Sequence, residues 1–208
     1  MIIFLHSRNF RSYILILFFL LCAAVGRAQI FKGGVHAGLV GSQVAGDLFS
    51  GYNKAGISAG GWVSLQFTVH HEIQMELSYI QKGSRENPNY EKDRMDSYLM
   101  RLGYAELPLL YRMIYSEKLN FETGLSMNFL INSYEERNGW VLDDPFDKSN
   151  LCFILGLSYN LTERLRANFR TNNSLFSIRK EKRDGDVWRL FEHGQYSDAL
   201  VLSLYYRF

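Results

Sequence analysis

The chain has 208 residues, 47% of them hydrophobic and 15% aromatic, with three prolines and a formal charge of +2. That length suits one domain, that composition excludes a disordered chain, and so small a charge gives no reason to expect a nucleic-acid partner. A mean hydropathy near zero does not separate a soluble protein from a membrane barrel, because polar lumen residues cancel lipid-facing ones in any average.

The N-terminus is a different material from the rest. Arg8 and Arg11 precede an unbroken apolar run over 13–25, and the small residues Gly26 and Ala28 follow at the spacing a signal peptidase reads. The expectation is a signal peptide over residues 1–28, cleaved before Gln29, with residues 29–208 forming the mature domain. The run is short for a spanning helix, which needs about 20 apolar residues. Leu21 stands where a small residue would have to precede a lipidated Cys22, which argues against a lipoprotein. Without the leader, Cys152 is the only cysteine, so no internal disulfide can form.

Beyond Ile30 no apolar stretch approaches the length of a spanning helix, and the dominant period is two. A first strand is expected over 31–42. A second follows, in which Ile57, Ala59, Gly61, Val63, Leu65 and Phe67 alternate with Ser58, Gly60, Trp62, Ser64 and Gln66. In the third, Ile73, Met75, Leu77 and Tyr79 alternate with Gln74, Glu76 and Ser78. The fourth covers 97–113. The fifth, 119–131, sets Leu119, Phe121, Leu125, Met127, Phe129 and Ile131 against Asn120, Glu122, Ser126 and Asn128, with Leu130 as the exception. A helix would scatter Glu122 and Asn128 over several faces, whereas a strand separates the two sets. The sixth alternates Leu151, Phe153, Leu155, Leu157 and Tyr159 with Cys152, Ile154, Gly156 and Ser158. The seventh alternates Leu165, Ala167 and Phe169 with Arg166, Asn168 and Arg170, and the eighth alternates Leu200, Leu202, Leu204, Tyr206 and Phe208 with Val201, Ser203, Tyr205 and Arg207.

Connections alternate as well. Short ones fall near 68–72, 114–118 and 160–163, and long polar ones near 43–54, 84–96, 134–148 and 179–194. Short turns on one side and long loops on the other are the pattern of an eight-stranded antiparallel up-and-down transmembrane β-barrel, with both termini on the periplasmic side. Only helices and closed barrels satisfy every backbone polar group within hydrocarbon. Phe67, Tyr111, Tyr115, Tyr159, Tyr206 and Phe208 fall near the short-turn end, where an interfacial girdle belongs. Arg101 shares the outward phase of Ala105, Leu107, Leu109 and Tyr111. Ten residues at ~3.3 Å each, tilted by ~40°, place it about 25 Å above Tyr111, at the far edge of the apolar band.

The inward phase carries Glu76, Glu106, Glu122, Arg112, Arg166, Arg170 and Arg207. Eight strands leave an interior just wide enough for side chains to fill, and buried charges demand partners. These residues are therefore expected to pair across the lumen and plug it; a narrow ion or proton path is the alternative.

Several segments resemble the outer-membrane β-barrel family common in Bacteroidota, often labelled porin family. They are Gly33-Gly34-Val35-His36-Ala37-Gly38-Leu39, the run from Gln74 to Gly83 and, most specifically, Tyr104-Ala105-Glu106-Leu107-Pro108-Leu109-Leu110. The closing Tyr205-Tyr206-Arg207-Phe208 is similar to the terminal aromatic signal, here Tyr206 and Phe208, that barrel-assembly machinery recognises. The resemblance implies an outer-membrane protein in contact with lipid and that machinery, with no catalytic set and no cofactor. One relative belongs to a protein-secretion system, so an accessory role in secretion or envelope assembly stays open beside a small-solute pore. Pro108 cannot donate to a ladder, so a bulge or unpaired position is expected near 106–108.

Nothing else in the sequence makes a chemical site. His70-His71-Glu72 lacks the spacing of a helical zinc site and is expected to be a turn. His36 is expected to be a lumen hydrogen-bonding residue, and His193 has no evident partner. No spacing marks a catalytic triad, so a non-enzymatic, structural or interaction-mediating protein is expected. Specific function would reside in the long loops. One is acidic, with Glu135, Glu136, Asp143, Asp144 and Asp147 around Trp140 and Phe146; the next begins with Arg179, Lys180, Lys182 and Arg183. These charges are expected to be solvated, with an envelope protein, a polysaccharide or a divalent ion as alternative loop ligands.

Overall fold

The computed structural model describes residues 31–49, 51–88, 96–179, 185, 187–190 and 192–208. The expected signal peptide lies outside them, as do Lys180, Lys182 and Arg183. The compact unit Lys32–Phe208 is a barrel. Its wall consists of β1 (Phe31–Ala45), β2 (Lys54–Gln66), β3 (His71–Glu86), β4 (Tyr98–Ile114), β5 (Leu119–Arg137), β7 (Ser149–Asn160), β8 (Leu165–Ser174) and β11 (Tyr196–Arg207). Each strand pairs with its neighbour in sequence, and β11 returns antiparallel to β1. Eight antiparallel strands thus close on themselves, as the alternation and the loop lengths predict.

The short pieces β6 (Trp140–Val141), β9 (Val187–Arg189) and β10 (Glu192–Gly194) belong to the long-loop end. β6 extends the edge of β5, and β9 and β10 form a hairpin within a segment expected to be irregular. His193, expected to stand alone, packs edge-on against Trp188 of that hairpin at 5.0 Å between ring centroids. Several strands also overrun their predicted ends. β3 continues from Tyr79 to Glu86, and β5 from Ile131 to Arg137.

Alternation decides what faces out. Val63, Met75, Leu77, Leu109, Leu125, Met127, Leu155, Leu157, Leu202 and Leu204 are all exposed on the outer wall. The six aromatic residues expected at the short-turn end are exposed there too, with Tyr206 and Phe208 edge-to-face and Tyr115 against Phe121. Arg101 points outward, beside the Tyr134 ring.

Two irregularities interrupt the regular wall. The β3–β4 ladder runs Met75↔Leu109 and then Ser78↔Glu106, leaving Leu107 and Pro108 without partners on β3 and no change of register. This is the unpaired position expected of a proline that has no N–H to donate. Higher up, Tyr104 pairs with Leu130 but Gly103 pairs with Asn132, so Ile131 is the extra residue of a bulge on β5. The bulge reverses the phase of β5. It turns Glu135 inward and Tyr134 outward, where strict alternation from Leu119 would have done the opposite.

Candidate functional site

The inward residues divide the lumen into two tiers. In the short-turn half, Glu76 of β3 is the hub. Its carboxylate accepts from Arg170 of β8 (3.0 Å), from the Tyr205 hydroxyl of β11 (3.0 Å) and from Gln74 (2.6 Å), and His36 Nε2 lies 3.7 Å away. Arg170 also donates to Tyr205, and His36 stacks on the Tyr205 ring at 4.7 Å and bonds Ser78 at 2.7 Å. One level below, Arg112 of β4 binds Glu72 at 2.9 Å and lies 3.8 Å from Glu122, which in turn accepts from Asn168 at 2.8 Å. Arg166 donates to Gln74 at 3.0 Å and lies over the rings of Tyr205 and Trp62 at 4.6 and 5.3 Å. Trp62 reaches this position because Gly34 faces it. A Cβ at Gly34 would stand 2.9 Å from the indole and would also meet the Tyr206 carbonyl.

Above Glu76, Glu106 accepts from Asn172 and Ser126. Lys82 donates to the same Asn172 at 2.8 Å. With its amide oriented as its neighbours demand, Asn128 also bridges the two charges, donating to Glu106 (3.3 Å) and accepting from Lys82 (3.1 Å). Four buried carboxylates, Glu72, Glu76, Glu106 and Glu122, thus meet four buried cations, Lys82, Arg112, Arg166 and Arg170. Charge balance and direct or amide-bridged pairing are what make ionised groups tolerable out of water. Arg207, expected among these residues, is instead half-buried at the short-turn rim. There it borders a cavity of about 420 Å³ whose floor includes Arg112 and Arg166.

The long-loop half is apolar. Val40, Val44, Ile80, Tyr98, Met100, Leu102, Tyr104, Ile178, Ala199 and Val201 form one buried cluster, with Phe49, Leu130 and Phe146 packed against it. Leu130, the exception in the predicted alternation, is therefore a contact of this cluster. The loops close over it. Arg179 pairs with Glu135, which also accepts from the Tyr98 hydroxyl at 2.7 Å. The Arg179 guanidinium lies 3.9 Å from the Phe146 ring and donates to the Asp144 carbonyl at 3.3 Å. Glu135 and Arg179 were expected to be solvated; both are buried, because the bulge points Glu135 inward and 178–179 bond Asp147 and Gln195 across the opening.

A family model described as outer membrane protein beta-barrel domain matches residues 28–180. The chain belongs to that family. The barrel is accordingly one of the bacterial outer membrane, and its apolar exterior is the lipid face. No curated protein sequence matches the chain. Among solved structures it is similar to Neisserial surface protein A, at 12% identity over 86% of this chain and 97% of the other, TM-score 0.54. It is also similar to Ail, the attachment invasion locus protein of Yersinia pestis, solved in complex with the heparin analogue sucrose octasulfate. That match has 11% identity over 86% of this chain and 99% of the other, TM-score 0.50.

For this outer-membrane barrel, sequence reading named six of the eight buried charges of the lower lumen. It missed Glu72 and Lys82, and with them the apolar tier. Continuing the phase of Glu76 along β3, four residues back and six residues on, would have found them, since Glu72, Gln74, Ser78, Ile80 and Lys82 are all buried. The phase of Glu106 likewise points Tyr98, Met100, Leu102 and Tyr104 inward. His70-His71-Glu72 splits between a turn and β3. His71 Nδ1 is hydrogen-bonded to the Tyr111 hydroxyl at 2.5 Å, and Glu72 turns inward to Arg112. Asp47, in the loop after β1, accepts from the Phe49 amide at 2.9 Å, yet burial pushes its carboxyl above the usual range.

Proposed function

We propose that the protein is a non-enzymatic outer-membrane barrel whose lumen is closed to solutes and whose working surface is its long-loop end. In this reading both termini are periplasmic, the long loops face the cell exterior, and Tyr206 and Phe208 present the aromatic signal to the barrel-assembly machinery. The observation that carries the proposal is the filling of the interior from the floor of the short-turn cavity up to the long-loop end. The charge network around Glu76, the apolar cluster from Tyr104 to Tyr98 and the Arg179–Glu135 pair occupy successive levels. A conducting path would have to break all three.

Bonds among the described loop residues support an interaction role. Arg179 and Ile178 tie one long loop to the next, and Arg189 of the β9–β10 hairpin binds Asp198 through both oxygens at 2.7 and 2.8 Å. Trp140, Val141 and Trp188 are left exposed at that end. Ail, solved with a sulfated sugar analogue, is a precedent for ligand binding by a barrel of similar fold. A pore would show steady single-channel conductance in a planar bilayer; the filled lumen is expected to give none.

A further inference from the structure

The outer wall changes character abruptly on one side. On β3 the lipid-facing residues run Ile73, Met75 and Leu77, and then Tyr79, Gln81 and Arg85. On β4 they run Leu109, Leu107 and Ala105, and then Gly103 and Arg101; on β5, Met127 and Phe129 give way beyond the bulge to Asn132. Arg101 is ten residues above the girdle residue Tyr111, which is about 25 Å of height and the thickness of the apolar band. The switch therefore falls where lipid tails end and headgroups begin.

A groove of about 440 Å³ opens at this level, between the start of β2 and the bulge. Lys54, Arg85 and Arg101 line it together with the polar ends of Tyr79, Gln81 and Asn132, and among the described residues none that lines it is acidic. Gly103 makes the room. A Cβ there would stand 2.8 Å from the Tyr79 hydroxyl and would collide with the Asn132 amide oxygen. The bulge at Ile131 is what turns Asn132 to this face, in the same row as Gly103 and Gln81.

We propose that this groove holds the phosphate of a lipid headgroup, with Arg85, Arg101 and Lys54 supplying charge and the amide and hydroxyl groups supplying neutral donors. Cations in a groove with no carboxylate among its described lining residues, on a lipid-exposed wall at headgroup depth, find their counter-charge in the bilayer surface. A purely aliphatic rim would do for anchoring alone. The groove has instead a concave floor and donors converging on it. The leaflet it reads rests on the orientation given above; the groove itself does not.

The test uses the full chain purified from outer membranes and placed in nanodiscs of phosphatidylcholine containing a minor fraction of lipid A, which carries phosphomonoesters. Lipid retained by the protein is read by native mass spectrometry. Wild type is expected to retain lipid A over phosphatidylcholine, and Arg85→Ala with Arg101→Ala to lower that preference roughly tenfold or more. Lys118→Ala with Arg164→Ala removes the same charge at the opposite rim and is expected to leave it unchanged. A heat-dependent gel shift confirms that each variant is folded. Equal loss from both pairs, or no loss from the first, overturns the proposal. So does displacement of lipid A by inorganic phosphate, which would make the groove a site for soluble anions. Nanodiscs have no sidedness, so a wrong orientation would appear only in labelling of the loops on intact cells.

Discussion

Arg179 binds Glu135 across the long-loop end of the barrel, joining the loop that follows β8 to the top of β5 and sealing the apolar cluster beneath. Both side chains are almost fully buried, at 1% and 3% exposure. Removing one partner of such a pair strands the other charge, at a cost of about 3–5 kcal/mol. Glu135→Gln is expected to lower the urea-unfolding free energy by that order. Adding Arg179→Met should recover a large part of it, because an apolar pair over Phe146 suits the site. If Glu135→Gln alone is neutral, the pair is open to water and the seal does not exist.

The apolar tier should behave as a soluble protein's core does. Tyr104→Ala and Met100→Ala each remove a fully buried side chain, and each is expected to cost about 2–5 kcal/mol. An outward residue lower on the same strand gives the contrast. Leu107→Ala exchanges one lipid contact for another and is expected to change stability by less than half as much. Equal effects on both faces would mean that the upper lumen is not packed.

Pro108 lies in the gap of the β3–β4 ladder, so a donor restored at this position has an acceptor strand beside it. Pro108→Ala is expected to leave stability within about 1 kcal/mol of wild type, and hydrogen exchange should find the new amide protected. A loss of several kcal/mol would mean that the ring's packing holds the wall, not the absence of a donor.

Asp47 gives a pH signature. Burial raises its folded-state proton affinity above that of the unfolded chain. The folded state is therefore favoured most below the unfolded value, near pH 4, and that advantage is lost as pH rises through the raised folded value. Asp47→Asn keeps an acceptor for the Phe49 amide. It is expected to be more stable than wild type at neutral pH, with the difference vanishing in acid. A constant difference across pH would remove Asp47 titration from the explanation.

Cys152 is fully buried between Lys82 and Asn128. A water-soluble maleimide should leave the folded barrel unmodified and react completely after denaturation. Rapid labelling of folded protein would mean that water reaches mid-lumen.

The fold was legible because a membrane barrel writes its inside and outside into alternate residues. Phe121, Leu125 and Met127 had to face lipid once Glu122 and Ser126 faced inward. Loop lengths then supplied the topology. The Arg179–Glu135 seal was not legible, for two reasons. The extra residue at Ile131 reverses the phase of β5 without any marker residue at the bulge, and the approach of two loops distant in sequence depends on backbone bonds such as Ile178 to Gln195. Lumen pairings were hidden for a related reason. Arg170 and Glu76 lie on strands that are not neighbours, and only the barrel's closure brings them to 3.0 Å.

The closed lumen is tested most directly by single-channel recording of the refolded mature chain in a planar bilayer, after a heat-dependent gel shift has established that the barrel is folded. Silence at all voltages is expected from wild type. Steady conductance from folded protein would contradict the filled interior, and its loss or change of ion selectivity on Glu76→Gln or Arg170→Gln would trace the path through the charged tier.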